Sequence, residues 1–230
     1  PGFRQGGPSG WTLLAVVAYF RADVAQLIAA APGALTGRDG EWERLGRLII
    51  VGTIPVVIVG GLFGDVIEAR VRTPLVVAVN LVIGSIGLIW VERIGRQNRE
   101  ARSLGFGEAL AIGIAQAAAL APGLSRSGAT LIVSMFAGLR RESAARFVFL
   151  MSLPAVFAVA VKETIELSGV GMAGAPYTLM AVGLVVSAVV GYVTVKYFLQ
   201  YLAGHSLAVF AYYRFALAAV TFAWLLSRAV

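Results

Sequence analysis

The sequence predicts an all-α integral membrane protein: six transmembrane helices and one re-entrant helix–loop–helix, an inverted-topology repeat whose first hairpin is missing. Three observations predict this. Apolar residues make up 59% of the 230-residue chain and charged residues 13%, with a mean hydropathy of +0.84, too apolar a mixture to fold around one aqueous surface. Six segments, near 11–31, 46–64, 74–92, 144–161, 177–200 and 207–228, reach the roughly 17 to 25 apolar residues that a hydrocarbon core of about 30 Å requires. The stretch 104–139 breaks the pattern, because Pro122-Gly123 divides it into two pieces, each short of a comfortable span. Proline removes a donor and clashes with the preceding turn, and glycine lets the chain reverse, so the spacing predicts a re-entrant hairpin with its tip at Gly123 to Gly128.

The elements form a single membrane domain over residues 1–230. Residues 1–103 carry the first three helices, the remainder of a first repeat, and 104–230 carry the hairpin and three more. Three crossings per repeat invert one half relative to the other. A matching hairpin is expected before residue 11, and the opening Pro1-Gly2-Phe3-Arg4 reads as the start of a partial chain.

Charge supports the re-entrant reading, since cytoplasmic loops carry the Lys/Arg excess. If 104–139 returns to the side it came from, twelve basic residues share one side: Arg21, Arg38, Arg44, Arg47, Arg93, Arg96, Arg99, Arg102, Arg140, Arg141, Arg146 and Lys196. Five face the other: Arg4, Arg70, Arg72, Lys162 and Arg228. A full crossing would leave the split at ten against seven. The larger group marks the cytoplasm, so the hairpin enters from there. Trp11, Trp42, Trp90 and Trp224 fall at or near span ends as an aromatic belt would place them. Gly60-Gly61, Gly84, Gly87, Gly183 and Gly191 read as close-packing positions between helices.

Composition also excludes several functions. The net charge of +7 is dispersed over short loops, which argues against nucleic-acid binding. The chain has no cysteine and one histidine, His205, so thiolate chemistry and histidine-cluster metal sites are ruled out. His205 falls in the turn between the last two helices and reads as interfacial.

The chemistry concentrates in Pro122-Gly123-Leu124-Ser125-Arg126-Ser127-Gly128-Ala129-Thr130. An arginine among three hydroxyls at membrane depth requires an anionic partner, and phosphate is the first candidate. Arg126 offers a planar fork that matches two phosphate oxygens. Ser125, Ser127 and Thr130 can donate hydroxyl bonds, Gly123 and Gly128 allow close backbone approach, and a second half-helix starting near Ser127 points its amides at the loop. A serine nucleophile needs a base, and none lies beside the loop, so Ser125 and Ser127 are assigned to substrate binding first and to attack second. The plainer reading makes Ser127 a helix N-cap and Thr130 a residue bonding its own helix. Gln116 either lines the cavity or makes an interhelical hydrogen bond. Arg214, about two turns into the last helix, either reaches the phosphate site or snorkels towards the headgroups. Arg140 and Arg141 read as topology anchors, and Glu108 lies at the cytoplasmic base of the hairpin.

The run from Gly113 to Thr130 resembles the second signature of the undecaprenyl-diphosphate phosphatases, the BacA or UppP family of bacitracin-resistance proteins. The likeness continues through Phe147, Phe149, Leu150 and Pro154, through Gly52-Thr53-Ile54-Pro55 and Gly60-Gly61-Leu62-Phe63, and through Phe210-Ala211-Tyr212-Tyr213-Arg214. The family's first signature, a Glu-Xaa-Xaa-Xaa-Glu segment with a Pro-Xaa-Ser-Ser-Xaa-Gly-His loop, is not present.

The resemblance implies a bacterial plasma-membrane enzyme that converts undecaprenyl diphosphate to undecaprenyl phosphate and inorganic phosphate. Such an enzyme recycles the carrier lipid for cell-wall synthesis and gives bacitracin resistance. It further implies a site open to the extracytoplasmic face, and a divalent cation, Mg²⁺ or Ca²⁺, whose carboxylate ligands are not in this chain. Helix faces of small residues permit a homodimer. The rival reading is a secondary transporter or flippase of an anionic lipid or solute, because broken helices within inverted repeats also serve carriers.

Overall fold

A computed structural model describes residues 8–71, 73–169 and 177–229; Arg4 and Arg72 of the charge tally lie outside them. These residues form nine α-helices: α1 (Pro8–Tyr19), α2 (Arg21–Leu35), α3 (Glu41–Val71), α4 (Pro74–Ile94), α5 (Phe106–Ala118), α6 (Arg126–Phe136), α7 (Arg141–Gly169), α8 (Tyr177–Gly204) and α9 (Ala208–Ala229). The protein is an all-α integral membrane protein. The segments Glu41–Gly64, Pro74–Ile94, Arg141–Lys162, Val182–Gly204 and Ala208–Arg228 are each long and apolar enough to cross a bilayer unbroken.

The expected first span, 11–31, is not one helix. Its residues fall into α1 and α2, which meet at an angle of 90°. Charge explains the break. Asp23 is 7% exposed and accepts a 2.5 Å hydrogen bond from Arg146 at the start of α7, which ties the beginning of α2 to the first turns of α7, where basic residues gather. Phe20, 4% exposed, fills the corner against Tyr19 and Phe149. Beyond the corner α1 packs on α7 and α8, whereas α2 packs on α3. Hydropathy is blind to this turn because Val24 to Ala31 continues the apolar composition.

The expected hairpin is present as α5 and α6, and both of its feet stand at one end of the bundle. The backbone amides of Asn98 and Arg99 donate to the Gly138 carbonyl at 3.1 and 3.0 Å, which binds the approach to α5 to the exit from α6. The same end collects ion pairs. Arg141 grips Glu92 in a two-pronged contact, and Glu92 also accepts the Leu207 amide at 2.8 Å, joining α4, α7 and the start of α9. Arg102 pairs with Glu41, Arg140 pairs with Glu100, and Arg44 donates to the Leu104 carbonyl at 2.7 Å. Arg140 and Arg141 are therefore both engaged in ion pairs at this end of the bundle.

Glycine sets how closely the hairpin approaches the spans. A Cβ on Gly113 of α5 would stand 2.2 Å from the Gly52 carbonyl oxygen of α3, so these helices cross backbone to backbone. On the other side Gly87 of α4 receives Ile132 of α6, and a Cβ there would stand 2.8 Å from the Ile132 side chain. Gly191 similarly faces Ala15, whereas Gly61 has nothing within 4 Å of an added Cβ and serves no close contact. Buried side chains, including Leu48, Ile112, Met135, Phe147 and Met151, fill the core between the hairpin and its flanking helices.

Candidate active site

The tip of the hairpin is a tight turn over 119–125. The Leu120 amide bonds the Ala117 carbonyl and the Ala121 amide the Ala118 carbonyl, both at 3.1 Å, which winds α5 down before Pro122 stops it. Gly123 then reverses the chain at φ +90°, and its Cα lies against α4: an added Cβ would meet the Val77 carbonyl oxygen at 2.5 Å. Glycine is thus required twice, for the dihedral and for the space. Ser125 follows at φ 63° and ψ 111°, a conformation that costs a non-glycine residue about 1–3 kcal/mol and persists only where neighbours impose it.

Those neighbours are Asn80 and Arg214. Asn80 of α4 donates its Nδ2 hydrogen to the Pro122 carbonyl at 2.8 Å. Arg214 of α9 donates through Nη2 to the carbonyls of Gly123 at 3.0 Å and Leu124 at 3.3 Å, and also to Asn80 at 3.3 Å. Three successive tip carbonyls are therefore drawn away from the turn. Arg214, left open between two roles by its sequence position, does not snorkel: it is 9% exposed and bound to the tip. Gly84 makes room for it, since a Cβ there would stand 2.3 Å from Nη2.

With its carbonyls engaged, the tip presents its donors. Helix α6 starts at Arg126, one residue before the expected start, and Ser125 rather than Ser127 is its N-cap, its Oγ accepting the Gly128 amide at 3.2 Å. The amides of Arg126 and Ser127 have no acceptor among the described residues. The side chains of Ser125, Arg126 and Ser127 are all exposed, and the two serine oxygens lie 3.4 Å apart. Arg126 forms no ion pair or hydrogen bond through its guanidinium among the described residues. An unpaired arginine, two free amides at a helix N-terminus and two hydroxyls together make a site for an oxyanion.

The other expected residues sit apart from this surface. Thr130 is 1% exposed and donates its hydroxyl to the Arg126 carbonyl at 2.7 Å, inside its own helix. Gly128 is buried beneath the first turn. Gln116, on the buried face of α5, is 2% exposed, and its Nε2 has no acceptor among the described residues. Glu108 lies at the foot of the hairpin, paired with Arg99 at 2.6 Å. His205 stacks on Tyr201 with its Nδ1 3.2 Å from the Tyr201 carbonyl oxygen, at the turn into α9. Sequence reasoning missed Asn80. Its signal was a lone amide side chain within an otherwise apolar span.

The divalent ion implied by the resemblance finds no carboxylate at the tip among the described residues. No group of three or more histidine or acidic side chains assembles among the described residues. Hydroxyls and guanidiniums do not fit Mg²⁺ or Ca²⁺, which require clustered carboxylate and carbonyl oxygens.

The chain shares its sequence pattern with known proteins over nearly its whole length. Undecaprenyl-diphosphatase of Rubrobacter xylanophilus is 45% identical over 218 residues, covering 94% of this chain and 80% of that protein. Undecaprenyl-diphosphatase of Moorella thermoacetica is 39% identical over 218 residues, 93% of this chain and 80% of that protein. The protein of the same name from Paenarthrobacter aurescens is 38% identical over 212 residues, 90% of this chain and 76% of its own length. A family model described as "Bacitracin resistance protein BacA" matches residues 10–220. With the hairpin tip inside that match, the chain belongs to the BacA family.

Proposed function

We propose that this protein is a membrane-embedded phosphatase that hydrolyses undecaprenyl diphosphate to undecaprenyl phosphate and inorganic phosphate, with the headgroup held at the hairpin tip. The observation that carries the reading is the unpaired, exposed Arg126 at the start of α6, beside two amides without acceptors. Water adds to the terminal phosphorus, the bond to the bridging oxygen breaks, and the leaving oxygen stays on the lipid monophosphate. Catalysis of such a transfer consists mainly of positioning and of stabilising charge on the equatorial oxygens. Arg126 and the two amides supply that charge, and Ser125 and Ser127 orient the oxygens. Neither serine touches a base among the described residues, and both serve in this reading as ligands of the phosphate oxygens.

The foot of the hairpin, with its concentration of arginines, belongs at the cytoplasmic face of the bacterial plasma membrane. The tip then lies within the bilayer and serves a headgroup reached from the extracytoplasmic side.

Purified full-length protein should release inorganic phosphate from undecaprenyl diphosphate, and Arg126→Ala should slow release about a hundredfold or more. Movement of an anionic lipid or solute across vesicles without phosphate release would instead support a secondary transporter or flippase.

A further inference from the structure

Arg214 is a buried cation without a counterion among the described residues. It enters from α9, passes α4 through the gap at Gly84, and ends against the tip. Its three nitrogens have different surroundings. Nη2 is engaged by the carbonyls of Asn80, Gly123 and Leu124. Nε is buried and has no acceptor among the described residues. Nη1 makes no hydrogen bond to the described residues and lies 3.5 Å from the position of a Cβ on Gly128, in the first turn of α6.

A guanidinium removed from water needs an anion to offset its desolvation, and carbonyl dipoles do so only in part. A role confined to pinning the turn would be met by Nη2 alone, and a neutral amide would do it without burying a charge. The charge therefore has another use. Arg126 approaches the tip from the exposed side, and Arg214 approaches the same turn from the buried side.

We infer that Arg214 is the second cationic ligand of the site, taking one phosphate of the diphosphate while Arg126 takes the other, and that it makes the site selective for diphosphate over monophosphate. The inference rests on the phosphatase reading of the same tip. Nη2 holds the guanidinium in place through the turn carbonyls, and the charge and Nη1 face the anion. Binding of the diphosphate then supplies the counterion that the unliganded protein lacks.

The test uses full-length protein in detergent and two probes, inorganic pyrophosphate and inorganic phosphate, each measured as a competitor of lipid hydrolysis and as a ligand raising the thermal midpoint. For the unsubstituted protein, pyrophosphate should compete at least tenfold better than phosphate. In Arg214→Gln that ratio should collapse towards one, through about a tenfold loss for pyrophosphate and little change for phosphate, with KM for the lipid raised more than kcat is lowered. Arg214→Lys, which keeps the charge, should retain part of the ratio and guards against misfolding of the glutamine variant. The midpoint of unliganded Arg214→Gln should be no lower than that of the parent, because removing an uncompensated buried charge offsets the lost carbonyl contacts.

An unchanged pyrophosphate-to-phosphate ratio in both variants overturns the inference while leaving the phosphatase intact. A lowered unliganded midpoint with normal pyrophosphate selectivity also overturns it, since Arg214 would then be only a structural pin. Absence of lipid hydrolysis by the parent protein overturns both readings.

Discussion

Arg99 and Glu108 close the foot of the hairpin with a two-pronged ion pair, Nη1 to Oε1 at 2.6 Å and Nη2 to Oε2 at 3.0 Å. The same guanidinium donates to the Ala137 carbonyl at 2.7 Å, at the end of α6. Glu108 in turn accepts the Gly105 amide at 2.7 Å, capping the start of α5. One arginine thus fixes both legs of the hairpin, and the positions of the legs set the height and tilt of the tip proposed to hold the headgroup.

That pair makes stability depend on pH. The hydrogen bond from Arg99 above all, helped by the Gly105 amide and the arginine's charge, holds the Glu108 carboxyl below the ordinary carboxylate range, while desolvation opposes this. Because the folded value is depressed, the contribution is fully present above the unfolded value of about 4.3 and is lost as pH falls through the folded value. About a third of each side chain is exposed, so solvent screening limits the contribution to about 1 kcal/mol. Thermal unfolding in detergent should show Glu108→Gln less stable than the parent at pH 7, with the gap closing below about pH 4. A gap independent of pH would mean that the ion pair contributes nothing.

Gly123→Ala tests the tip itself. The substitution forces a side chain onto a residue at φ +90° and drives its Cβ to 2.5 Å from the Val77 carbonyl oxygen. Strain at the dihedral contributes about 1–3 kcal/mol, and backbone has no room to yield on the α4 side. Phosphate release should fall by at least about tenfold as the donors at Ser125 to Ser127 lose register. The thermal midpoint should drop as well. Retention of both would show that the turn can relax away from α4 without consequence.

The hairpin was legible because its signals are local and chemical: a Pro-Gly breaker, short apolar arms, and a charge tally that a re-entrant path makes more lopsided than a full crossing does. The exposed grouping of Arg126, Ser125 and Ser127, the ligands proposed for the phosphate, was legible for the same reason, since hydroxyls and a guanidinium at membrane depth call for an anion. What could not be read was tertiary. Asn80 acts on a backbone carbonyl 42 residues away, and a carbonyl has no sequence signature. Gly84 reads as a helix-packing glycine, yet its neighbour is the Arg214 guanidinium together with the Leu124 carbonyl. The corner at Phe20 depends on Asp23 meeting Arg146 across 123 residues, and a hydropathy window that averages Val24 to Ala31 sees only apolar continuity.

The three hydroxyls of the signature, equivalent in sequence, separate in the structure, and so should their variants. Thr130 has its hydroxyl hydrogen directed to the Arg126 carbonyl at 2.7 Å and is 1% exposed. Thr130→Val therefore leaves the headgroup contacts intact, at a cost confined to one buried hydrogen bond, about 1 kcal/mol. Ser127 is exposed, its amide is free and it is not the cap of α6, so Ser127→Ala should raise KM for the lipid about tenfold with little change in the thermal midpoint. Ser125 combines both roles, because its Oγ caps α6 through the Gly128 amide while facing the site. Ser125→Ala should lower activity and also remove about 1 kcal/mol of stability. Steady-state kinetics and thermal unfolding of the three variants, measured side by side, check the ordering. A Thr130→Val enzyme with the kinetic defect of Ser127→Ala would place the threonine hydroxyl on the substrate and require the first turn of α6 to rotate on binding.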